Sequence, residues 1–204
     1  CALPIFLPLF PFQSPFVLAL TKLPSPLATA AALIAPLVGL YILSSVAEPI
    51  PAQLLRGVNG LALCGALYVS IKALGQRKVA HLVTYASVAF FSLFWWSFAN
   101  HPVHGTDALS YVAVVALLSA ALIGADGYLR EYFGELTLDR MHGLAKPMPC
   151  FATLFALLIM AAVGLPPFGV FGAQVNVLLQ SSAATPLGFA IRSEEHTSEL
   201  QSPY

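Results

Sequence analysis

The stretch "MAAVGLPPFGVFGAQVNVLLQ", residues 160–180, decides the class of fold because it places two adjacent prolines and three glycines inside an otherwise apolar run. Each proline removes a backbone donor and clashes with the preceding turn of a helix, so Pro166 and Pro167 predict a helix that stops and restarts. The apolar run of residues 151–180 is also longer than the roughly 20 residues of a straight membrane span. The stretch therefore predicts a discontinuous membrane helix.

The composition of the whole chain agrees with a membrane protein. Hydrophobic residues make up 58% and charged residues 9% of the chain, and the mean hydropathy is +0.82. Soluble domains carry about 25% charged residues, so a water-soluble globule is excluded. The fold class predicted is all-α, a polytopic transmembrane helix bundle with discontinuous, Pro/Gly-broken helices. About five spans are expected, at residues 27–47, 54–73, 81–99, 108–128 and 151–180.

The connectors predict how the spans are oriented. Basic residues lie in the connectors after the second and fourth spans, whereas the connector "NHPVHGTD" at residues 100–107 has no Lys or Arg. Basic connectors two spans apart share one side of the membrane, the cytoplasmic side or its equivalent. Residues 128–149 mix charges with apolar residues and predict an amphipathic surface helix.

The two ends of the chain are not interpreted as native termini. The sequence begins at Cys1 with apolar residues, which indicates a truncated start, and "RSEEHTSELQS" at residues 192–202 resembles the translation of a sequencing adapter. We expect a partial transmembrane domain at residues 1–191 and a non-native artefact at residues 192–204. Cys1, Cys64 and Cys150 are widely spaced among apolar residues, so no disulfide framework and no metal site are expected.

Four stretches resemble the antiporter-like membrane subunits of respiratory complex I, a family shared with Mrp-type cation/proton antiporters and membrane-bound hydrogenases. They are "FPFQSPF" (10–16), "GQRKVAHLVTYASVA" (75–89), "GELTLDRMHGLAKPMP" (134–149) and "GLPPFGVFGAQ" (164–174). The order and spacing of the four stretches carry the resemblance, which covers about residues 10–180. No single stretch is specific, because Gly and Pro breaks are frequent in membrane helices.

The resemblance implies proton carriers that this chain lacks. The family is thought to place a Lys in one broken helix, a Lys or His at the head of the next, a His in a later span and a Lys or Glu in a second broken helix. These positions fall on Leu37, Ala80, Ala113 and Gln174. A glutamine keeps the shape of a glutamate but cannot release a proton at physiological pH.

The remaining candidates have a functional and a simpler interpretation. Lys78 and His81 flank Ala80 and could substitute for the missing carrier, but basic residues at a helix start are more often membrane anchors. Asp126 and Arg130 have the i,i+4 spacing of a helix-end ion pair. The candidates for an ion path are therefore Lys78, His81 and Gln174, and the candidates for helix breaks are Pro36, Pro166 and Pro167.

The function expected from the resemblance is that of a membrane subunit of a proton-translocating NADH:quinone oxidoreductase-like or hydrogenase-like complex. Loss of carriers favours a divergent, structural subunit with an impaired proton path, and the alternative is a subunit of an Mrp-like cation/proton antiporter. A third interpretation is an unrelated polytopic protein. We expect no catalytic residues, no cofactor and no nucleic-acid partner, but other membrane subunits and the lipid bilayer as partners. The expected location is the bacterial inner membrane.

Overall fold

The computed structural model describes residues 6–46, 50–100, 106–134, 146, 148–166 and 168–182. These residues form helices joined by turns, as the apolar composition predicts. Within these ranges, seven helices have defined bounds: α1 (Ser14–Lys22), α2 (Ser25–Val46), α3 (Ala52–Leu74), α4 (Val79–Asn100), α5 (Thr106–Phe133), α6 (Pro149–Val163) and α7 (Gly169–Ser182).

Four of these helices are long and apolar enough to cross a bilayer. They are α2, α3, α4 and α5, each of which rises at least about 30 Å at 1.5 Å per residue. The bounds agree with the predicted spans to within a few residues, apart from α5, which extends to Phe133 rather than ending near residue 128. The predicted all-α membrane bundle is confirmed.

Helices α4 and α5 form the centre of the bundle, and α2 and α3 cover them. The most extensive contacts are between α3 and α4 and between α2 and α5, followed by the contact of α4 with α5. Between α4 and α5, Phe94 stacks on Tyr111 with ring centroids 6.1 Å apart, and the Tyr111 hydroxyl donates to the Phe90 carbonyl at 2.9 Å. Because lipid tails are as apolar as these side chains, close packing rather than exclusion of water holds the helices together.

Three buried hydroxyl groups of α4 are satisfied within the helix itself. Thr84, Ser87 and Ser92 of α4 donate to the carbonyls of Ala80, Val83 and Val88, four residues earlier, at 2.7–2.9 Å. Such bonds let small polar residues lie in an apolar interior at little cost. They leave the hydroxyl oxygens able to accept further bonds.

The predicted discontinuous helix is confirmed in α6 and α7. α6 ends at Val163, and Gly164 adopts the left-handed conformation, with φ 77° and ψ 42°. Its N–H and that of Leu165 bond back to the carbonyls of Ala161 and Met160 at 3.1 and 3.2 Å, which closes the helix end. Pro166 follows in the turn, Pro167 lies outside the described residues, and the chain becomes helical again at Gly169.

The third candidate break behaves differently. α2 runs through Pro36 as one continuous helix, so a break at this position is not observed. Pro36 is buried, and contacts from neighbouring segments can hold a turn that has lost one hydrogen bond. The predicted surface helix at residues 128–149 falls largely outside the described residues, and its first part belongs to α5.

Candidate functional site

The connection between α3 and α4 places two of the sequence candidates beside each other on the chain. Lys78 precedes the first residue of α4, is exposed, and accepts the N–H of Leu82 on its carbonyl at 3.1 Å. His81 lies in the first turn of α4 and is half-buried, and its Nδ1 is buried without a hydrogen-bond partner. The two side chains therefore have different surroundings, and of the two His81 alone turns toward the interior.

His81 lines a cavity of about 460 Å³ between α1, α3 and α4, here called the His81 cavity. Lys72 at the end of α3 also lines it, with its ammonium 5.4 Å from the ring centroids of both Tyr68 and Tyr85. Lys72 donates to the Tyr68 hydroxyl at 3.3 Å. Gln13 lies on the same wall, where its Oε1 is buried and unpartnered like His81 Nδ1. The cavity has the volume and the polar atoms to hold water.

A second cavity, of about 670 Å³, lies between the start of α2, the start of α4 and the last turns of α5. It is here called the Asp126 cavity. Ser25, Thr29, Thr84, Asp126 and Arg130 supply most of its polar lining. Arg130 Nη2 donates to Asp126 Oδ2 at 2.6 Å, which confirms the predicted i,i+4 ion pair.

The burial of this ion pair is what the sequence did not predict. The Asp126 side chain is 4% exposed and that of Arg130 is 40% exposed, so the pair extends from the protein interior to the surface. Asp126 Oδ1 is buried and has no hydrogen-bond partner. A buried carboxylate oxygen normally has a partner, so the unsatisfied Oδ1 marks this cavity as a polar site.

Two glycines on either side of Asp126 allow α5 to pack closely against α2. A Cβ at Gly127 would collide with Ser25 Oγ, and a Cβ at Gly124 would lie 3.5 Å from the Thr29 side chain. Small residues at this spacing let two membrane helices approach closely. "GADG" at residues 124–127 was the available sequence signal, because a carboxylate between two small residues on an apolar helix indicates a helix contact.

The positions where the family carriers are expected hold no charge in the structure. Leu37 is half-buried and packs against the apolar core, and Ala80 is buried beside the Asp126 cavity. Ala113 is half-buried on α5. Gln174 of α7 lies against the end of α6, where a Cβ on Gly164 would be 2.7 Å from Gln174 Oε1. Gln174 lines neither the Asp126 cavity nor the His81 cavity.

Most of the charged groups among the described residues lie at one end of the bundle. Asp126, Arg130, Lys22 and Lys78 are all near enough to His81 to act on it electrostatically. At the opposite end, the side chains of Asn59 and Asn100 join α3 to α4 at 3.4 Å. Among the described residues, most of the charge therefore lies on the side of the basic connectors, whereas Arg56, Asp107 and the amide contact lie at the other end.

Comparison of the sequence with models of protein families gives one match that covers nearly the whole chain. A family model described as NADH:quinone oxidoreductase/Mrp antiporter, transmembrane, matches residues 1–193. Chain 4 of the chloroplastic NAD(P)H-quinone oxidoreductase of Phaseolus vulgaris is 34% identical over 116 residues, which are 55% of this chain and 23% of the relative. Subunit N of the NADH-quinone oxidoreductase of Leptospira interrogans is 28% identical over 168 residues, 77% of this chain and 30% of the relative. The chain thus spans less than a third of the length of either relative.

Solved structures show the same arrangement of helices. A chain of respiratory complex I from Thermus thermophilus superposes with a TM-score of 0.79 and 28% identity, covering 93% of this chain and 42% of that one. A chain of the archaeal membrane-bound sulfane sulfur reductase superposes with a TM-score of 0.76 at 20% identity, covering 88% of this chain and 38% of that one. The second likeness shows the fold alone. With a matching family model over nearly all of its length and four membrane-spanning helices, this integral membrane protein belongs to the NADH:quinone oxidoreductase/Mrp antiporter family.

Proposed function

We propose that this chain is part of a membrane subunit of a proton-translocating NADH:quinone oxidoreductase-like or hydrogenase-like complex, and that the described segment is structural rather than proton-conducting. The observation that carries the proposal is the position of the ionisable side chains along the spanning helices. Its partners are the other membrane subunits of that complex, and its location is the bacterial inner membrane.

Among the described residues, the Asp, Glu, His, Lys and Arg side chains lie within about two turns of a helix end or in a connector. On α4, the distance along the axis from His81 to Asn100 is about 28 Å at 1.5 Å per residue, and no such side chain lies between them. On α5, the same distance separates Asp107 from Asp126, again without one in between. A proton crossing about 30 Å of hydrocarbon would have no side-chain carrier for most of this path.

The broken helix supports the same proposal. Gln174 stands where the family resemblance implies a proton-handling carboxylate, and it packs on Gly164 at the end of α6. An amide can hold this contact by hydrogen bonding and van der Waals packing, but it cannot exchange a proton at physiological pH. The helix break therefore keeps its shape and its packing, but it lacks the carboxylate that proton conduction would need.

An Mrp-like cation/proton antiporter subunit is the alternative, and the His81 cavity is the observation that favours it. Lys72 and His81 line the same cavity, which also contains the unpartnered Gln13 Oε1. A cavity lined by two ionisable side chains could form one half of an ion path. It would need ionisable groups elsewhere in the full-length protein to reach the other side of the membrane.

The experiment measures proton flux in liposomes that contain the complete complex with the full-length subunit. Lys78→Gln and His81→Gln each neutralise a candidate, and Arg56→Gln is the matched control because Arg56 is exposed at the other end of the bundle. We expect all three variants to keep the wild-type flux, and we expect deletion of the subunit to lower the yield of assembled complex.

Selective loss of flux in Lys78→Gln or His81→Gln, with Arg56→Gln unaffected, would overturn the structural role and favour the antiporter alternative. Normal assembly without the subunit would also contradict it. The predicted location is tested by fractionation of the host membranes, since the relatives include chloroplastic proteins.

A further inference from the structure

We propose that Asp126 is a proton-binding carboxylate, reached by water from the side of the basic connectors through the Asp126 cavity, and that Arg130 controls its occupancy. The site serves one side of the membrane, so it is compatible with the proposed lack of a proton path through the described segment. The proposal rests on the geometry around one carboxylate and does not depend on membership in a particular complex.

The two oxygens of Asp126 have different environments. Oδ2 accepts the Arg130 guanidinium at 2.6 Å, whereas Oδ1 is buried and unpartnered in a side chain that is 4% exposed. An ionised carboxylate with one unsatisfied buried oxygen is costly, and a proton or a water molecule on that oxygen removes the cost. Oδ1 is therefore the atom at which a proton would bind.

The cavity supplies the route for that proton. Its volume of about 670 Å³ is far more than one water molecule needs, and Ser25, Thr29 and Thr84 place hydroxyls along the wall beside Asp126. Arg130 and Glu131 line the same cavity at the exposed end of α5. Water entering beside these two side chains can reach Asp126 without crossing the apolar centre of the bundle.

The charges around Asp126 favour a proton over a metal cation. Arg130 already contacts the carboxylate, and His81 of α4 acts on it from the neighbouring helix. The cavity lining adds Glu131 on α5 itself, while α2 contributes only the hydroxyls of Ser25 and Thr29. A second full positive charge beside Arg130 would be repelled, whereas a proton neutralises the carboxylate and releases Arg130.

The exchange is balanced in atoms and charge. A hydronium ion from the aqueous side transfers its proton to Oδ1, a new O–H bond forms, and water leaves. The charge-assisted bond from Arg130 to Oδ2 becomes a weaker bond to a neutral acid, so the half-exposed guanidinium can turn to the surface. Reversal returns the proton to water and restores the ion pair.

The test uses a hydrophobic carbodiimide, dicyclohexylcarbodiimide, on the full-length protein in native membranes. This reagent reacts with protonated carboxyl groups and leaves a stable N-acylurea, which peptide mass spectrometry locates. We expect an adduct on Asp126 that increases as the pH falls. In Arg130→Gln the pH of half-labelling should rise by about one unit or more, because an adjacent opposite charge shifts a carboxyl titration by that much. Arg130→Lys should restore a profile near that of the wild type.

Asp107, exposed at the other end of the same helix, is the internal control, and Asp126→Asn confirms the identity of the labelled peptide. Absence of an Asp126 adduct at every pH would overturn the proposal, even if Arg130→Gln fails to fold. An Arg130→Gln profile identical to that of the wild type would overturn the role of Arg130. Protection of Asp126 by sodium chloride but not by choline chloride at a fixed pH would replace the proton by a metal cation.

Discussion

Replacing Gly127 by alanine tests the close contact of α5 with α2. A Cβ at this position would collide with Ser25 Oγ and would lie 2.5 Å from Ser25 Cβ. Ser25 is the first residue of α2, so relief requires the helix start or the whole of α5 to move. Because α2 and α5 form one of the two largest helix contacts, such a movement disturbs much of the bundle.

The expected change in the free energy of unfolding is the sum of two opposing effects. Overpacking a well-packed contact costs about 1–3 kcal/mol. Replacing a glycine by alanine within a helix stabilises the helix by up to about 1 kcal/mol, because alanine has the higher helix propensity. Gly57→Ala isolates the second effect, because Gly57 lies in α3 and a Cβ there has nothing within 4 Å. We therefore expect Gly127→Ala to be less stable than Gly57→Ala by about 1–3 kcal/mol.

The assay is unfolding of the full-length protein by sodium dodecyl sulfate in mixed micelles, followed by tryptophan fluorescence. Ser25→Gly removes both atoms that the new methyl group meets, so Ser25→Gly combined with Gly127→Ala should recover most of the lost stability. Ser25→Ala should recover only part of it, because the Ser25 Cβ remains. Equal stability of Gly127→Ala and Gly57→Ala would refute the packing of α5 on Ser25.

Two further predictions concern the helix break and the amide contact between α3 and α4. Gly164→Ala forces a side chain into the left-handed region beside Gln174 Oε1, so it should lower the free energy of unfolding by about 1 kcal/mol or more in the same assay. Gly172→Ala, which has open space around it, should not lower it. Equal effects of the two substitutions would contradict the left-handed residue at the end of α6. A double-mutant cycle with Asn59→Ala and Asn100→Ala should give a coupling energy of about 0.6 kcal/mol, which is the average for hydrogen bonds between membrane helices. A coupling energy of zero would show that the two amides do not pair.

The helices could be predicted from sequence because the bilayer imposes their length. The third span was expected at residues 81–99 and is observed as Val79–Asn100, since a helix must run through the hydrocarbon before its backbone can meet water. The break at Gly164 was also predictable, because two prolines and a glycine act locally. Pro36 shows the limit of the same reasoning, since tertiary packing preserves a helix that a local rule would interrupt.

The two cavities were less predictable than the helices, because their lining residues come from helices that are far apart in sequence. The spacing of Asp126 and Arg130 predicted their ion pair, but it could not show that Ser25 and Thr84, from two other helices, line the same cavity as the carboxylate. In the same way, the sequence pattern does not show that the Lys72 ammonium lies over the ring of Tyr85 from the next helix. These contacts depend on how neighbouring helices are aligned along their axes. That alignment is set by the shapes of the packed side chains and not by the periodicity of the sequence.

The break between α6 and α7 also has an electrostatic consequence. α6 has 15 residues and α7 has 14, so each rises only about 21–23 Å and both are needed to cross a hydrocarbon core of about 30 Å. The carboxyl end of α6 and the amino end of α7 lie next to each other at the break, with partial charges of about −0.5 and +0.5 from their peptide dipoles. Although Gln174 carries no charge, the backbone itself therefore maintains a fixed electric field at the break.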